Sequence, residues 1–275
     1  MKIKAKNQYK ILFYLFAIFF VTTIGFPFFW QILNSFKLEK DIFALTWFPK
    51  EYSLENYYKA FYTRPLLSYL FNSIIIAVFA SLISLFIGSL GAYAIAKTPI
   101  KGKTLILIIV MSITLLPPIV IINPIYAIIK NLKLLNTYSG LILVNVLFTL
   151  TVVIWFLTPY LYAVPNELEE SAEIDGASPA QCFFKIVVPL LAPGIFTVGI
   201  LAFIQVWNEY LFALVLNPIK IKTVTVGLKM YEADNYIPWG TIMAAATIIV
   251  IPLITMVLVL QKRIIGGMMN GGIKE

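Results

Sequence analysis

Residues 164–190 read VPNELEESAEIDGASPAQCFFKIVVPL, and five of the nine positions from 167 to 175 are acidic. Asn166 is a good N-cap, and Glu169 three residues later can complete a capping box with it. Glu167, Glu169 and Glu170 then fall in a first helical turn, where exposed N–H groups favour negative charge. Gly176 stands where a helix commonly ends in a left-handed glycine. Ser178 and Pro179 restart a helix as N-cap and first helical residue, and Pro189 leads out of the segment. The spacing predicts two short helices joined at a sharp glycine corner. The first, of about ten residues, is too short to be stable alone, so its neighbours or a partner must hold it.

Long apolar runs flank this segment on both sides. Mean hydropathy is +0.90 and only 12% of residues are charged, about half the share usual in a soluble domain. Six stretches, at 11–33, 69–96, 105–129, 138–160, 190–216 and 239–260, reach the roughly 17 to 25 apolar residues needed to cross a hydrocarbon core about 30 Å thick. Lipid offers no partner for a free N–H or C=O, and no two-residue alternation suggests a barrel, so all six are expected to be helices. The fold class is an all-α membrane protein with six transmembrane helices. No stretch is left over for a soluble core. The expectation is one membrane domain at 11–262 between tails at 1–10 and 263–275, with the loop at 161–189 on one side and loops at 34–68 and 217–238 on the other.

An even number of spans puts both termini on one side. Lys and Arg divide almost evenly between the two faces. Lys2, Lys4, Lys6 and Lys10 tip the balance, because they precede the first span without an acidic neighbour and the first span usually weighs most. Both termini and the 164–190 segment are therefore assigned to the cytoplasm. The first apolar run exceeds the ~7 to 15 residues of a signal-peptide core and no small-residue cleavage site follows, so it reads as a retained span. The net charge of +8 is scattered rather than clustered among aromatics, which argues for membrane borders and lipid and against nucleic acid. Cys182 is the single cysteine and histidine is absent. An internal disulfide, a cysteine metal cluster and imidazole chemistry are excluded together.

Three spans carry readable detail. In the second, Ala80, Ser84, Gly88, Ala92 and Ala96 recur every four residues and form a ridge of small side chains for close helix packing, within the chain or with a partner. The third holds ITLLPPIVIINP at 113–124. Pro117 and Pro118 remove backbone donors and predict a kink or break. Such backbone is tolerated where it is buried in protein or lines a cavity, so Pro117, Pro118 and Asn123 are candidates for a translocation path as well as for a kinked packing helix. The fifth holds Glu209, the one acidic residue within a span, beside Gln205 and Asn208. An ionisable group there costs at least about 2.5 kcal/mol to insert, which makes Asn208 and Glu209 path candidates, with a structural polar seam as the alternative.

Catalytic and energy-coupling groups are missing. KGKTL at 101–105 resembles the tail of a phosphate-binding loop, but Lys97 occupies the leading glycine's position and the string runs into a span rather than following a strand. No paired carboxylates sit in the spans to build a proton or sodium couple. The chain is expected to be no enzyme and to bind no cofactor or metal. If it moves something uphill, another subunit supplies the energy.

Glu170, Ala172, Gly176, Ile186 and Pro189 match the pattern E-A-A-x3-G-x9-I-x-L-P. This resembles the EAA loop of the membrane subunits of ABC importers. Ser171 stands where alanine is usual and Val188 where leucine is usual, and neither change touches the glycine corner. The string NELEESAEIDGAS at 166–178 is similar to that of carbohydrate permeases, the second permease of maltose-type transporters in particular. WQILNSFK at 30–37, SLENYYKAF at 53–61, NSIIIAV at 72–78, GAYAIAK at 91–97, WNEYLFALVL at 207–216 and GGMMNGGIKE at 266–275 extend the resemblance over nearly the whole chain.

The resemblance implies an importer-permease bundle in the plasma membrane of a prokaryote. It implies a second permease, two ATPase subunits that use the ATP, and an extracellular or periplasmic sugar-binding protein that touches the 34–68 and 217–238 loops. Glu170, Ser171, Ala172 and Asp175 fall on a helix that docks in an ATPase cleft. Gly176 makes its corner, and Ile186 and Pro189 connect the corner to the fifth span. Sugars, polyols and glycerol phosphate are all carried by importers of this kind. A self-sufficient secondary transporter is the alternative from another class.

Overall fold

The structure, a computed structural model, describes the backbone of residues 2–44, 46–232 and 236–271, and the side chains of Lys10 and of 12–261 within those ranges. Lys2, Lys4 and Lys6 and the C-terminal string at 266–275 lie outside the described side chains. The regular structure is all helix, with no strand among the described residues. Five helices are long and apolar enough to cross a membrane, and a bent pair makes a sixth crossing if counted as one.

The first compact unit comprises residues Met1–Leu66 and Leu228–Val250. Its α1 runs Lys2–Ser35, so helix extends into the expected N-tail, and its apolar part is Leu12–Ser35. Phe13, Phe16, Phe19 and other large side chains along α1 are bare, as suits a surface meeting lipid. Near its end, Trp30 packs edge-on against Trp47 at 5.6 Å. The Lys37 ammonium lies 4.7 Å over the Trp30 ring and donates to the Thr46 carbonyl at 2.7 Å. Burial holds Lys37 below the ordinary lysine value, and the Asp41 carboxylate opposes that shift. In α2 (Glu55–Tyr62), the Asn56 amide donates to the carbonyls of Ser35 and Lys37.

The second unit comprises Leu67–Gly227 and Ile251–Glu275. Its core packs α3 (Leu66–Lys97), α6 (Tyr138–Tyr162) and α9 (Val188–Trp207) around Ala92, Val153, Leu157, Val187, Leu191 and Val198. The small-residue ridge of α3 is an intrachain surface. A Cβ on Gly88 would lie 2.5 Å from Cγ1 of Val153, and one on Gly194 of α9 would lie 2.9 Å from the Tyr160 ring. Val153 is β-branched and stiff, so it cannot swing aside. Gly88→Leu is expected to destabilise the bundle by about 1–3 kcal/mol through overpacking. Gly91→Ala, whose Cβ would sit 3.4 Å from Ile154, serves as the tolerated control. Thermal unfolding of the detergent-purified protein measures both, and equal midpoints would show that the ridge does not set the helix spacing.

One expected span breaks where its prolines predict, and another is corrected. The third divides at the predicted break into α4 (Lys103–Leu115) and α5 (Pro118–Asn131), bent by 96°. Leu116 and Pro117 are extended, with ψ of 122° and 125°, and Pro118 starts α5. A residue before proline is pushed out of the helical region, and two prolines in sequence impose that twice. The fifth span does not run unbroken over 190–216. It begins at Pro179, stops at Trp207, and resumes as α10 (Leu211–Leu216). Helices α11 (Val224–Lys229) and α12 (Trp239–Gly271) follow, with helix in α12 reaching into the expected C-tail.

Candidate coupling loop and intramembrane cavity

The acidic segment folds as α7 (Asn166–Ile174). The expected capping box does not form: Pro165 occupies the N-cap position, with no side-chain cap. Lys97, at the end of α3, takes both groups instead. Its Nζ donates to Asn166 Oδ1 at 2.7 Å and to the Val164 carbonyl at 2.6 Å, and lies 3.1 Å from Glu169 Oε1. That last contact is an ion pair off the line of a hydrogen bond, so Oε1 has no hydrogen-bond partner of its own. Tyr93 donates its phenol to Glu169 Oε2 at 2.6 Å. A buried ammonium outcompetes the neutral N–H groups of a first turn, because bonds to charged groups are roughly twice as strong.

The far end of α7 follows the sequence expectation. Gly176 has φ of +87°, the Ala177 N–H donates to the Ala172 carbonyl at 2.9 Å, and the Gly176 N–H donates to Glu173 at 3.0 Å. These two bonds form the Schellman pattern that ends a helix on a left-handed glycine. Ser178 caps α8 (Pro179–Gln181) through a capping box with Gln181.

The second short helix is corrected, however: α8 passes through a π turn at Cys182–Val187 straight into α9. Pro189 breaks nothing, since its missing donor falls where bonding to the fifth residue back gives way to bonding to the fourth. Glu170, Ser171, Asp175, Gly176 and Pro189 are exposed, while Ala172 and Ile186 are half-buried.

The path candidates divide. A cavity of about 410 Å³ opens at the α4–α5 break and is lined by Pro118, Asn145, Phe148, Gln205 and Glu209, among others. Pro117, Asn123 and Asn208 do not line it. Asn208 bonds back to the Ile204 carbonyl at 2.9 Å. Glu209 sits in the break after α9, and its two oxygens accept the N–H groups of Phe212 at 2.6 Å and Ala213 at 2.9 Å. It caps α10 from the cavity wall, where Phe212 stacks on Phe148 at 5.1 Å.

Sequence reasoning missed Asn145, although an amide inside an apolar span is a readable signal. It missed the Lys97–Glu169 pair altogether. Among the described residues, no group of His, Cys, Asp and Glu could hold a metal ion.

Residues 84–269 match the family described as binding-protein-dependent transport system inner membrane component. A trehalose/maltose transport system permease protein of Thermococcus litoralis is 36% identical over 96% of this chain and 97% of its own length. A sulfoquinovosyl glycerol transport system permease protein of Agrobacterium fabrum is 36% identical over 90% of this chain and 88% of its own. In fold, the chain resembles the crystal structure of a bacterial ABC transporter involved in the import of the acidic polysaccharide alginate. The TM-score is 0.76 at 22% identity, covering 94% of this chain and 97% of that one. With the family pattern running from the middle of α3 into α12 and full-length permeases matching end to end, this multi-pass membrane chain belongs to the inner membrane components of binding-protein-dependent transport systems.

Proposed function

We propose that this chain is the permease subunit of an ATP-driven importer of carbohydrates. The carrying observation is α7, a short helix that turns its acidic face and bare apolar side chains outward, with Ile174 86% and Leu168 44% exposed. It is locked at its root by Lys97 and ends on the Gly176 corner. Nine residues of helix held this firmly and left uncovered suit a rigid contact with another protein. The partner is a cytoplasmic ATPase, with Glu170, Ser171, Ala172 and Asp175 on the docking helix. Ile186 lies on the π turn that leads to α9, and Pro189 lies in the first turn of α9. ATP binding would close two such ATPases and move the docked helices, and with them the bundle. Both termini then lie in the cytoplasm, as the N-terminal lysines favour.

A second permease completes the path. The cavity at the α4–α5 break, with amides from Asn145 and Gln205 between aromatic rings, offers the mixture of hydrogen-bonding and apolar surface that a sugar can use. On the outer side, a second cavity of about 420 Å³, lined by Lys59, Arg64, Tyr231 and Tyr236, suits contact with a binding protein. The relatives named for trehalose, maltose and sulfoquinovosyl glycerol support a carbohydrate or glycoside substrate.

Reconstitution tests the reading. Uptake of labelled disaccharides into proteoliposomes is expected only when this chain is assembled with a second permease, ATPases, binding protein and ATP. Uptake by this chain alone, driven by a proton or sodium gradient, would overturn it.

A further inference from the structure

We propose that Lys97 is a positioning residue that joins α7 to α3 as one rigid body, so that movement of α7 reaches the bundle through α3 while the π turn yields between α7 and α9. This rests on the reading of 164–190 as an ATPase-coupling loop, and it assigns the route of the stroke. The covalent route from α7 leads to α9, yet it is the softer of the two. It passes the Gly176 corner, where nothing lies within 4 Å of a Cβ position, then three residues of α8, then the π turn.

At the π turn the Val188 N–H donates to the Phe183 carbonyl, five residues back. A single turn in that register can slip to bonding four residues back and lengthen without unravelling. The route to α3 has no such slack. Lys97 reaches Val164, Asn166 and Glu169 at once, and the Lys97 and Glu169 side chains are only 7% and 11% exposed. Removing one member leaves the other buried without its counter-charge, so α7 and α3 cannot separate cheaply. Tyr93 holds the second Glu169 oxygen and packs edge-on against Phe183 of the π turn at 5.0 Å. The yielding turn thus pivots against a fixed ring on α3.

The test uses the assembled importer and needs no knowledge of the transported sugar. Spin labels are placed at Glu167→Cys with Leu90→Cys, and at Glu167→Cys with Leu190→Cys, three positions that are exposed. Cys182 is buried and is expected to stay unlabelled, which a sample without the introduced cysteines checks. Distances are measured without nucleotide and with ATP trapped by vanadate. The expected result is a shift in the α7–α9 distance and none in the α7–α3 distance.

In K97M the α7–α3 distance is expected to become dependent on ATP, and ATP-stimulated closure of the complex to lose about tenfold in coupling. K97R, which keeps the charge and the reach, is expected to restore both. Equal shifts in the two wild-type distances, or a K97M complex indistinguishable from wild type, would overturn the rigid α7–α3 unit and leave the coupling loop standing. No ATP-dependent shift in either distance would overturn the yielding π turn, since the chain would then move as one body, whereas loss of the coupling reading shows separately as uptake that needs no ATPase.

Discussion

Replacing Gly176 with valine is expected to cut ATP-driven uptake by the assembled importer about five- to thirty-fold, the population change that about 1–2 kcal/mol produces. The effect is conformational. Gly176 has φ of +87°, and nothing lies within 4 Å of where a Cβ would stand, so the added side chain meets no neighbour and acts only through its own backbone. A β-branched residue resists the left-handed region most. Once φ leaves that region, the Ala177 and Gly176 N–H groups lose the Ala172 and Glu173 carbonyls, and the end of α7 opens.

Because Lys97 grips the other end, α7 is expected to persist and the spans to insert; what fails is the closed C-terminal end of α7, and with it the shape of the surface offered to the ATPase. Gly176→Asn separates this cause from a general one, since asparagine tolerates the left-handed region and should retain most of the uptake. Uptake and ATP hydrolysis are measured together in proteoliposomes. A valine variant importing at the wild-type rate per ATP would remove the corner from the mechanism.

Gly176 and Lys97 mark the boundary of what the sequence makes legible. The corner could be read because a helix end of this kind depends on residues adjacent in the chain, and glycine is the residue that meets its φ. The six apolar runs could be read because lipid forces each into helix whatever its neighbours do. The Lys97 lock could not: Lys97 and Asn166 are 69 positions apart, and Tyr93 and Glu169 are 76 apart. A linear pattern gives Glu169 to the nearest cap, whereas the folded chain gives it to the nearest cation.

The same blindness applies to the break at 208–210. WNEYLFALVL reads as apolar helix, and only the placement of Glu209 below the N–H groups of α10 shows that its carboxyl begins a second helix. Prolines 117 and 118 announced their break because the rule is local to the backbone. The π turn has no such local signature.

Glu209→Ala is expected to destabilise the protein by about 2–6 kcal/mol, because the Phe212 and Ala213 N–H groups then lack acceptors, at about 1–3 kcal/mol for each buried group left unsatisfied. A helix of six residues has too few internal bonds to survive that loss alone. Phe212 stacks on Phe148 across the cavity wall, so loosening α10 also deforms the cavity. Glu209→Gln retains one acceptor oxygen and is expected to lose about half as much. Thermal unfolding in detergent and uptake in proteoliposomes are measured on both variants. If the cap is the role, stability and uptake fall together and glutamine stands between alanine and wild type. If the negative charge itself serves the path, glutamine and alanine abolish uptake alike while glutamine leaves the unfolding midpoint near wild type. The two oxygens that hold α10 in place favour the first outcome, which makes Glu209 part of the wall that shapes the cavity rather than a charge presented to what passes through it.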